Sequence, residues 1–367
     1  MDRIDRVETF EARVPLAHPL IVGSAQITRR TYSIVRITTT DGITGVGYCY
    51  SRGLPISMVI EAVMSPHIIQ ETAESADEIR GKLLAANWQS SEHGTLTSGL
   101  SAIDIALNDI MAKRSGKSVA QFLGSDLKEI PVYSVIGYDN GNDEAGLEEE
   151  IDHALSRGIK SFKIVVGAKS PEHDAHRIKV LRNRVGESAL IGVDAFRTFG
   201  DLEKAKHRVN LFKEYGISFV EDAFLESQGK LSIALREQTG VPVSFGESLA
   251  SASMAQQVID YNQVDVLRID ALVIGGVSEF IKAADYADRS GIQYSTHIHT
   301  EVHSQIAAAT KNCYAGGIEY LDPKYEIDLF HHLLLRPIEI SDGKAQLSTA
   351  PGFGIEWDWK AIQRYSA

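Results

Sequence analysis

SFKIVV (161–166), LIGVD (190–194), SFVED (218–222) and VSFGES (243–248) are four short apolar runs separated by amphipathic stretches. They extend into a longer series. Strands are predicted at 132–137, 161–166, 190–193, 218–220, 243–245, 264–269, 293–296 and 318–321. Helical periodicity falls between them at 172–185, 202–215, 229–239, 253–261, 277–290 and 302–313. Gly158, Gly216, Gly240 and Gly291 stand where helices end and the next strand begins. Strand–helix alternation of this kind predicts an α/β fold with a parallel sheet. An open doubly wound sheet is the competitor. The count of eight strands, and the lack of a Gly-rich phosphate-binding turn, favour a barrel.

Upstream the texture differs. Residues 6–15 alternate weakly, and YSIVRIT (32–38) and TGVGYCY (44–50) flank a turn holding Asp41-Gly42, which reads as a β-hairpin. Helices are predicted at 56–69, 76–86 and 98–113, the last capped by Ser98. Strands followed by segregated helices indicate an α+β domain. We therefore expect a capping domain over 1–125, a barrel over 126–337, and a segment, 338–367, that carries Trp357 and Trp359 back onto the first domain.

The chain has 367 residues and a formal charge of −12. An acidic surface disfavours nucleic acid and anionic lipid as partners. No apolar run approaches the ~20 residues of a membrane span, and the charged N-terminus is unlike a signal peptide. Cys49 and Cys313 form no CxxC pair, so neither a disulfide framework nor a zinc ribbon is indicated. These features together predict a reduced, cytoplasmic protein.

Ionisable residues recur at the C-terminal ends of the predicted strands: Lys163, Asp194, Glu221, Glu247, Asp270, His297 and Glu319. In a barrel those ends converge on one mouth. Three of them in succession, Asp194, Glu221 and Glu247, are carboxylates, which repel one another and resist desolvation. A divalent cation resolves both problems. An all-oxygen donor set favours a hard ion, Mg²⁺ first and Mn²⁺ second. One such carboxylate alone would be read as a helix cap or a surface ion pair.

The ordered set of TTDGITGVGY, LSAIDIALNDIMAKRSGKSVAQFLG, FKIVVG, GVDAF, FVED, FGES, DVLRIDALVIGGVSE, STHIHTE, IEYLD and PGFGIEWDW resembles the enolase superfamily, in its mandelate racemase/muconate-lactonizing-enzyme branch. The resemblance implies a (β/α)₇β modified TIM barrel under an α+β capping domain. It implies Mg²⁺ on Asp194, Glu221 and Glu247, and removal of a proton α to a carboxylate to give an enediolate held on the metal. Asp270 and His297 would form the His–Asp dyad, with His297 as base, and Glu319 would be an acid near the substrate carboxylate. Dimers or octamers are common in the family.

Three positions depart from the family pattern. Lys-x-Lys on the second strand is here Lys163-Ile164-Val165, and valine carries no proton. Phe196 replaces a frequent Asn, and Glu221-Asp222-Ala223 replaces Glu-Glu-Pro. Two-base racemisation is therefore impaired. One-base dehydration of an acid sugar to a 2-keto-3-deoxy acid fits better, with Lys163 as a nearby cation. A racemase, epimerase or cycloisomerase is the alternative, and a catalytically dead carboxylate binder is a third reading.

HxHxExH (His297, His299, Glu301, His303) is a weaker candidate for zinc, because the spacing does not set the ligands on one helix face. His299 and His303 are expected at the pocket or the surface. Substrate contacts are expected from two loops, 18–26 with Ser24 and 48–55 with Tyr50 and Arg52, and from Arg197 beside the first metal ligand.

Overall fold

The computed structural model describes residues 2–22, 25–89, 94–138 and 144–366. Three antiparallel strands open the chain: β1 (Ile4–Val22), β2 (Ala25–Thr39) and β3 (Thr44–Tyr50), in the order β1-β2-β3. β1 is far longer than the predicted 6–15, and its register against β2 slips between Pro15 and Leu20. The β2–β3 hairpin forms as predicted, with Gly42 at φ 85 in its turn.

The helical stretch predicted at 56–69 is three short pieces: α1 (Ile56–Val59), a π turn over Ile60–Met64 and a 3₁₀ turn over Ser65–His67. Pro66 has no N–H to continue an α ladder, and Ser65 returns its hydroxyl to the Ile60 carbonyl at 2.8 Å. α2 (Ala76–Ala86) matches the prediction. α3 (Gly94–Arg114) begins four residues before Ser98, so Ser98 is no cap; its Oγ donates back to the Gly94 carbonyl. α4 (Val119–Phe122) ends the capping elements with a Ser118/Gln121 capping box.

α3 lies against β3 closely because Gly45 and Gly47 share one face of that strand. A Cβ on Gly47 would sit 1.9 Å from the Ala102 carbonyl oxygen, and one on Gly45 2.1 Å from that of Ala106.

The barrel follows. Its strands are β4 (Glu129–Ile136), β5 (Ser161–Val165), β6 (Leu190–Asp194), β7 (Phe219–Glu221), β8 (Val243–Phe245), β9 (Val266–Ile269), β10 (Gln293–Thr296) and β11 (Ile318–Tyr320). All are parallel, from β10 through β4 in sequence order, and β11 pairs with β4. The β10–β11 seam is closed by the Tyr294–Cys313 bridge and by the Glu319 amide donating to Thr296 Oγ1 at 3.0 Å. Helices α5 (Glu144–Ser156), α6 (Pro171–Val185), α7 (Leu202–Phe212), α8 (Gly229–Thr239), α9 (Ala252–Asp260), α10 (Val277–Arg289) and α11 (Thr300–Ala307) follow β4 to β10 in turn. β11 is followed only by 3₁₀ turns. The fold is the (β/α)₇β modified TIM barrel with an α+β cap.

The C-terminal segment divides. β12 (Ile340–Ser341) and β13 (Lys344–Gln346) form a hairpin, and β13 pairs antiparallel with the start of β4. The chain then crosses to the cap, where α12 (Trp359–Tyr365) packs on β1 with the Trp359 and Phe10 ring centroids 5.3 Å apart. Among the described residues no helix is long and apolar enough to cross a membrane.

Overpacking a close contact costs about 1–3 kcal/mol. Gly47→Val is expected to destabilise by at least that amount, read as a lowered thermal midpoint. Gly53→Ala, whose Cβ meets nothing within 4 Å, carries only the milder strain of its positive φ.

Candidate active site

Successive residues on a strand alternate faces, so charge and apolar bulk are stacked in layers inside the barrel. Phe219 and Glu221 share a face on β7, and Val266, Arg268 and Asp270 share one at β9. Tyr133, Phe219, Val266 and Tyr314 cluster as apolar filling. Beside that filling, Lys163, Arg268, Glu221 and Glu319 are all at most 2% exposed.

Asp194 and Glu221 stand directly opposite each other in the β6–β7 register. Glu247 follows β8 after Gly246, which takes φ 131 against the Arg268 carbonyl, where a Cβ would sit 2.5 Å from oxygen. Each strand then turns sharply after delivering its side chain: Phe196, Arg197, Asp222, Ile298 and His299 all have positive φ. For a β-branched residue such as Ile298 this is strained backbone, of the sort concentrated at functional sites.

The three carboxylates meet at one cation. Arg268 Nη1 is bonded to Glu221 Oε1, 3.2 Å from Glu247 Oε2 and 3.6 Å from Asp194 Oδ2, while its Nη2 reaches Glu319 at 3.1 Å. Lys163 Nζ lies against Glu221, 3.1 Å from Glu319 and 3.4 Å from Asp194. Four carboxylates thus face two sealed cations, with Arg197 and Arg52 reaching Glu247 from the rim. Burial pushes Glu221 well up; Arg268 and Lys163 oppose this, and Asp194 and Glu319 add to it. Its Oε2 is buried without a partner. These donors suit a hard divalent cation of the Mg²⁺ kind, and the point they share is held here by the Arg268 guanidinium.

His297 Nδ1 is 2.8 Å from Asp270 Oδ2, and its Nε2 faces Glu247 at 3.4 Å. Burial would raise Asp270, but the hydrogen bond from His297 holds it well below the carboxylate range. His303 is fully buried, not at the surface. Its Nε2 accepts from the Ala271 amide at 3.0 Å, so its Nδ1 carries the proton and donates to the Ile298 carbonyl at 2.6 Å. It thereby braces both strand ends of the dyad. His299 is also buried, and burial holds it well below the usual imidazole range.

The HxHxExH residues therefore do not gather as zinc ligands. Among the described residues, the His/Asp/Glu/Cys group whose ligand atoms all lie within 4.8 Å of one another is Glu326, His331 and His332. The Asp194, Glu221 and Glu247 oxygens share Arg268 but are held wider apart by it.

A cavity of about 430 Å³ opens over this cluster, lined by Glu247, Arg268 and His297 from the barrel, and by Tyr50, Arg52 and Arg197. Arg197 is held by Asp222 at 3.1 Å and by Glu247 at 3.4 Å. Ser24 lies outside the described residues. Lys163 does not line the cavity; it is sealed beneath the carboxylates. Val165 packs with Tyr133 and Phe219, and Tyr138 and Phe196 pack against that group. Arg268 was not singled out from sequence, although it stands two residues before Asp270 and so shares its face.

Comparison with known proteins gives a consistent picture. The family model of the mandelate racemase/muconate lactonizing enzyme N-terminal domain matches residues 4–124, and that of the enolase C-terminal domain-like family matches residues 146–361. An arabinonate dehydratase of Saccharolobus solfataricus is 29% identical over 325 residues, 87% of this chain and 86% of its own. The chloromuconate cycloisomerase CbnB of Cupriavidus necator is 26% identical over 99% of both chains. The crystal structure of L-talarate dehydratase from Polaromonas sp. JS666, complexed with Mg and L-glucarate, superposes with a TM-score of 0.90 at 26% identity, covering 100% of this chain and 98% of the other. The chain belongs to the mandelate racemase/muconate lactonizing enzyme family of the enolase superfamily.

Proposed function

We propose that the protein is a Mg²⁺-dependent dehydratase of an acid sugar. The observation that carries this reading is the cluster of Asp194, Glu221 and Glu247 around one point, with the His297–Asp270 dyad beside Glu247. Relatives that dehydrate sugar acids support it.

Asp194, Glu221 and Glu247 would hold Mg²⁺, with Mn²⁺ as a substitute. The bound ion supplies electrostatic stabilisation for charge that develops on the substrate carboxylate oxygens. His297 Nε2 takes the α-proton, while Asp270 fixes the ring by accepting from Nδ1 and stabilises the imidazolium. The electron pair left at Cα then expels the β-hydroxyl. His297 returns its proton to that oxygen, so water leaves and the base is regenerated. The resulting enol tautomerises to a 2-keto-3-deoxy acid. Lys163 and Glu319 are buried together and fix the carboxylate geometry from below. Arg197, Tyr50, Arg52 and Ser24 are assigned to substrate. Val165 leaves no base on the β5 side, which favours a one-base reaction over racemisation. A cycloisomerase also needs no second base, and CbnB spans the whole chain; it is the second reading.

We also assign the cap to 1–125, the barrel to 126–337 and the returning segment to 338–367. We infer a cytoplasmic homo-oligomer, a dimer or octamer, with no nucleic-acid or membrane partner; the free thiols Cys49 and Cys313 agree with a reducing setting.

His297→Asn is expected to lower keto-acid formation, read with semicarbazide, by at least ~10²–10⁴-fold, the range for one general base, while the protein still binds Mg²⁺. Full activity in that variant would remove His297 as the base. Mg²⁺ is expected to raise the thermal midpoint of the wild type in a concentration-dependent way, and Asp194→Asn to abolish most of that rise. If no acid sugar yields a keto acid but muconates lactonise, the cycloisomerase reading replaces this one.

A further inference from the structure

The cavity carries positive charge at both ends, and an α-carboxylate on the metal would use only one of them. Five arginines line it, Arg29, Arg30, Arg52, Arg197 and Arg268, against the carboxylates Glu247 and Asp328. Arg197 and Arg268 are matched by acids of the barrel. The cap-side arginines are not matched in the same way.

Arg30 on β2 is the clearest case. Its Nε donates to the Ile327 carbonyl at 2.8 Å and its Nη1 to the Tyr50 hydroxyl at 2.7 Å. Both partners are neutral, and among the described residues no carboxylate oxygen within 4.0 Å pairs with Arg30. The guanidinium is always charged, and it is partly buried on the cavity wall, where Asp328 acts on it only from beyond ion-pair distance. Such a charge is unfavourable until an anion meets it. Arg52 stands close by, with Tyr50 flanked by both guanidinium groups at 5.4 and 5.3 Å from its ring centroid. Arg52 contacts Glu247 only at 3.5 Å, with its side chain 46% exposed. Asp328 shares the cavity and accepts from the Tyr32 hydroxyl at 2.9 Å; burial pushes its carboxyl up, and Arg30 opposes this.

We propose that the substrate is a dicarboxylate, an aldaric acid, whose far carboxylate is held at the cap end by Arg30, with Arg29 and Arg52 beside it. An aldonic acid ends there in a neutral alcohol and leaves Arg30 unpaired. A guanidinium fork matches a carboxylate in two parallel hydrogen bonds, and about 430 Å³ lies in the usual range for small-ligand pockets. The assignment rests on the reading above only in placing the other carboxylate at the metal.

The test is binding by calorimetry to the Mg²⁺-loaded His297→Asn protein, so that no turnover intervenes. The probes are matched pairs that differ only at the terminal carbon: D-glucarate with D-gluconate, galactarate with galactonate, and D-mannarate with D-mannonate. For the best-binding skeleton the diacid is expected to bind at least 10-fold tighter. Adding Arg30→Met should bring that ratio to within 2-fold and move the aldonate affinity by less than 3-fold. Arg30→Lys, which keeps a point charge without the fork, should reduce the ratio at least 3-fold, and it serves if the methionine variant fails to fold. Equal binding of diacid and monoacid, no binding of any diacid, or an equal loss for both members of a pair in Arg30→Met would overturn the proposal. A preserved diacid preference with no keto acid formed by the wild type would remove the dehydration reading and leave this one standing.

Discussion

Four carboxylates crowd the buried end of a closed barrel around two sealed cations, Lys163 and Arg268, and the rest of the site is arranged around that crowding. Glu221 is the pivot. It touches both Lys163 and Arg268, stands in register with Asp194, and keeps one oxygen without any partner. Burial magnifies each term, because charges interact more strongly where water is excluded. The cluster is therefore built to accept further positive charge, and the cavity directly above it decides which molecule arrives with the metal.

The dyad obeys the same economy of fixed dipoles. His297 is tied by one nitrogen to Asp270, which also accepts the Leu272 amide at 2.8 Å, and Asp270 is wedged against a neutral His303. The backbone after His297 passes through two left-handed residues, so the imidazole is presented by a turn that the surrounding packing must hold in place. Apolar side chains occupy the β5 side, where Val165 replaces a basic group. The result is a site with its proton-handling chemistry on one wall.

Most of the barrel is legible in the sequence. Val243–Phe245 and Gln293–Thr296 are short runs that each follow a helix stop, at Gly240 and Gly291, and their edges need no long-range information. The strand-end acids were readable for the same reason, since a period of one β/α unit converts directly into convergence at a mouth. Long-range contacts hid the rest. The break at Ile60–Met64 depends on Pro66 and a side-chain return that periodicity ignores. Ser98 looks like a cap until the helix is extended by contacts that bury it nearly all round. Arg268 lies inside a strand that reads as apolar filler, and only its partners at the ends of four other strands give it meaning. His303 gained a role through two backbone contacts, one to nearby Ile298 and one to distant Ala271. Arg30 was not singled out, because its place on the cavity wall is visible only in three dimensions.

The packing of α12 on β1 bears on how the chain is born. Arg36 on β2 lies over both Phe10 and Trp359, 5.2 and 4.6 Å from their ring centroids. A ribosome makes Phe10 more than three hundred residues before Trp359. The opening sheet must therefore emerge, and wait through synthesis of the entire barrel, with that aromatic face uncovered. A chain lacking α12 would leave Phe10 and Arg36 without their aromatic partner.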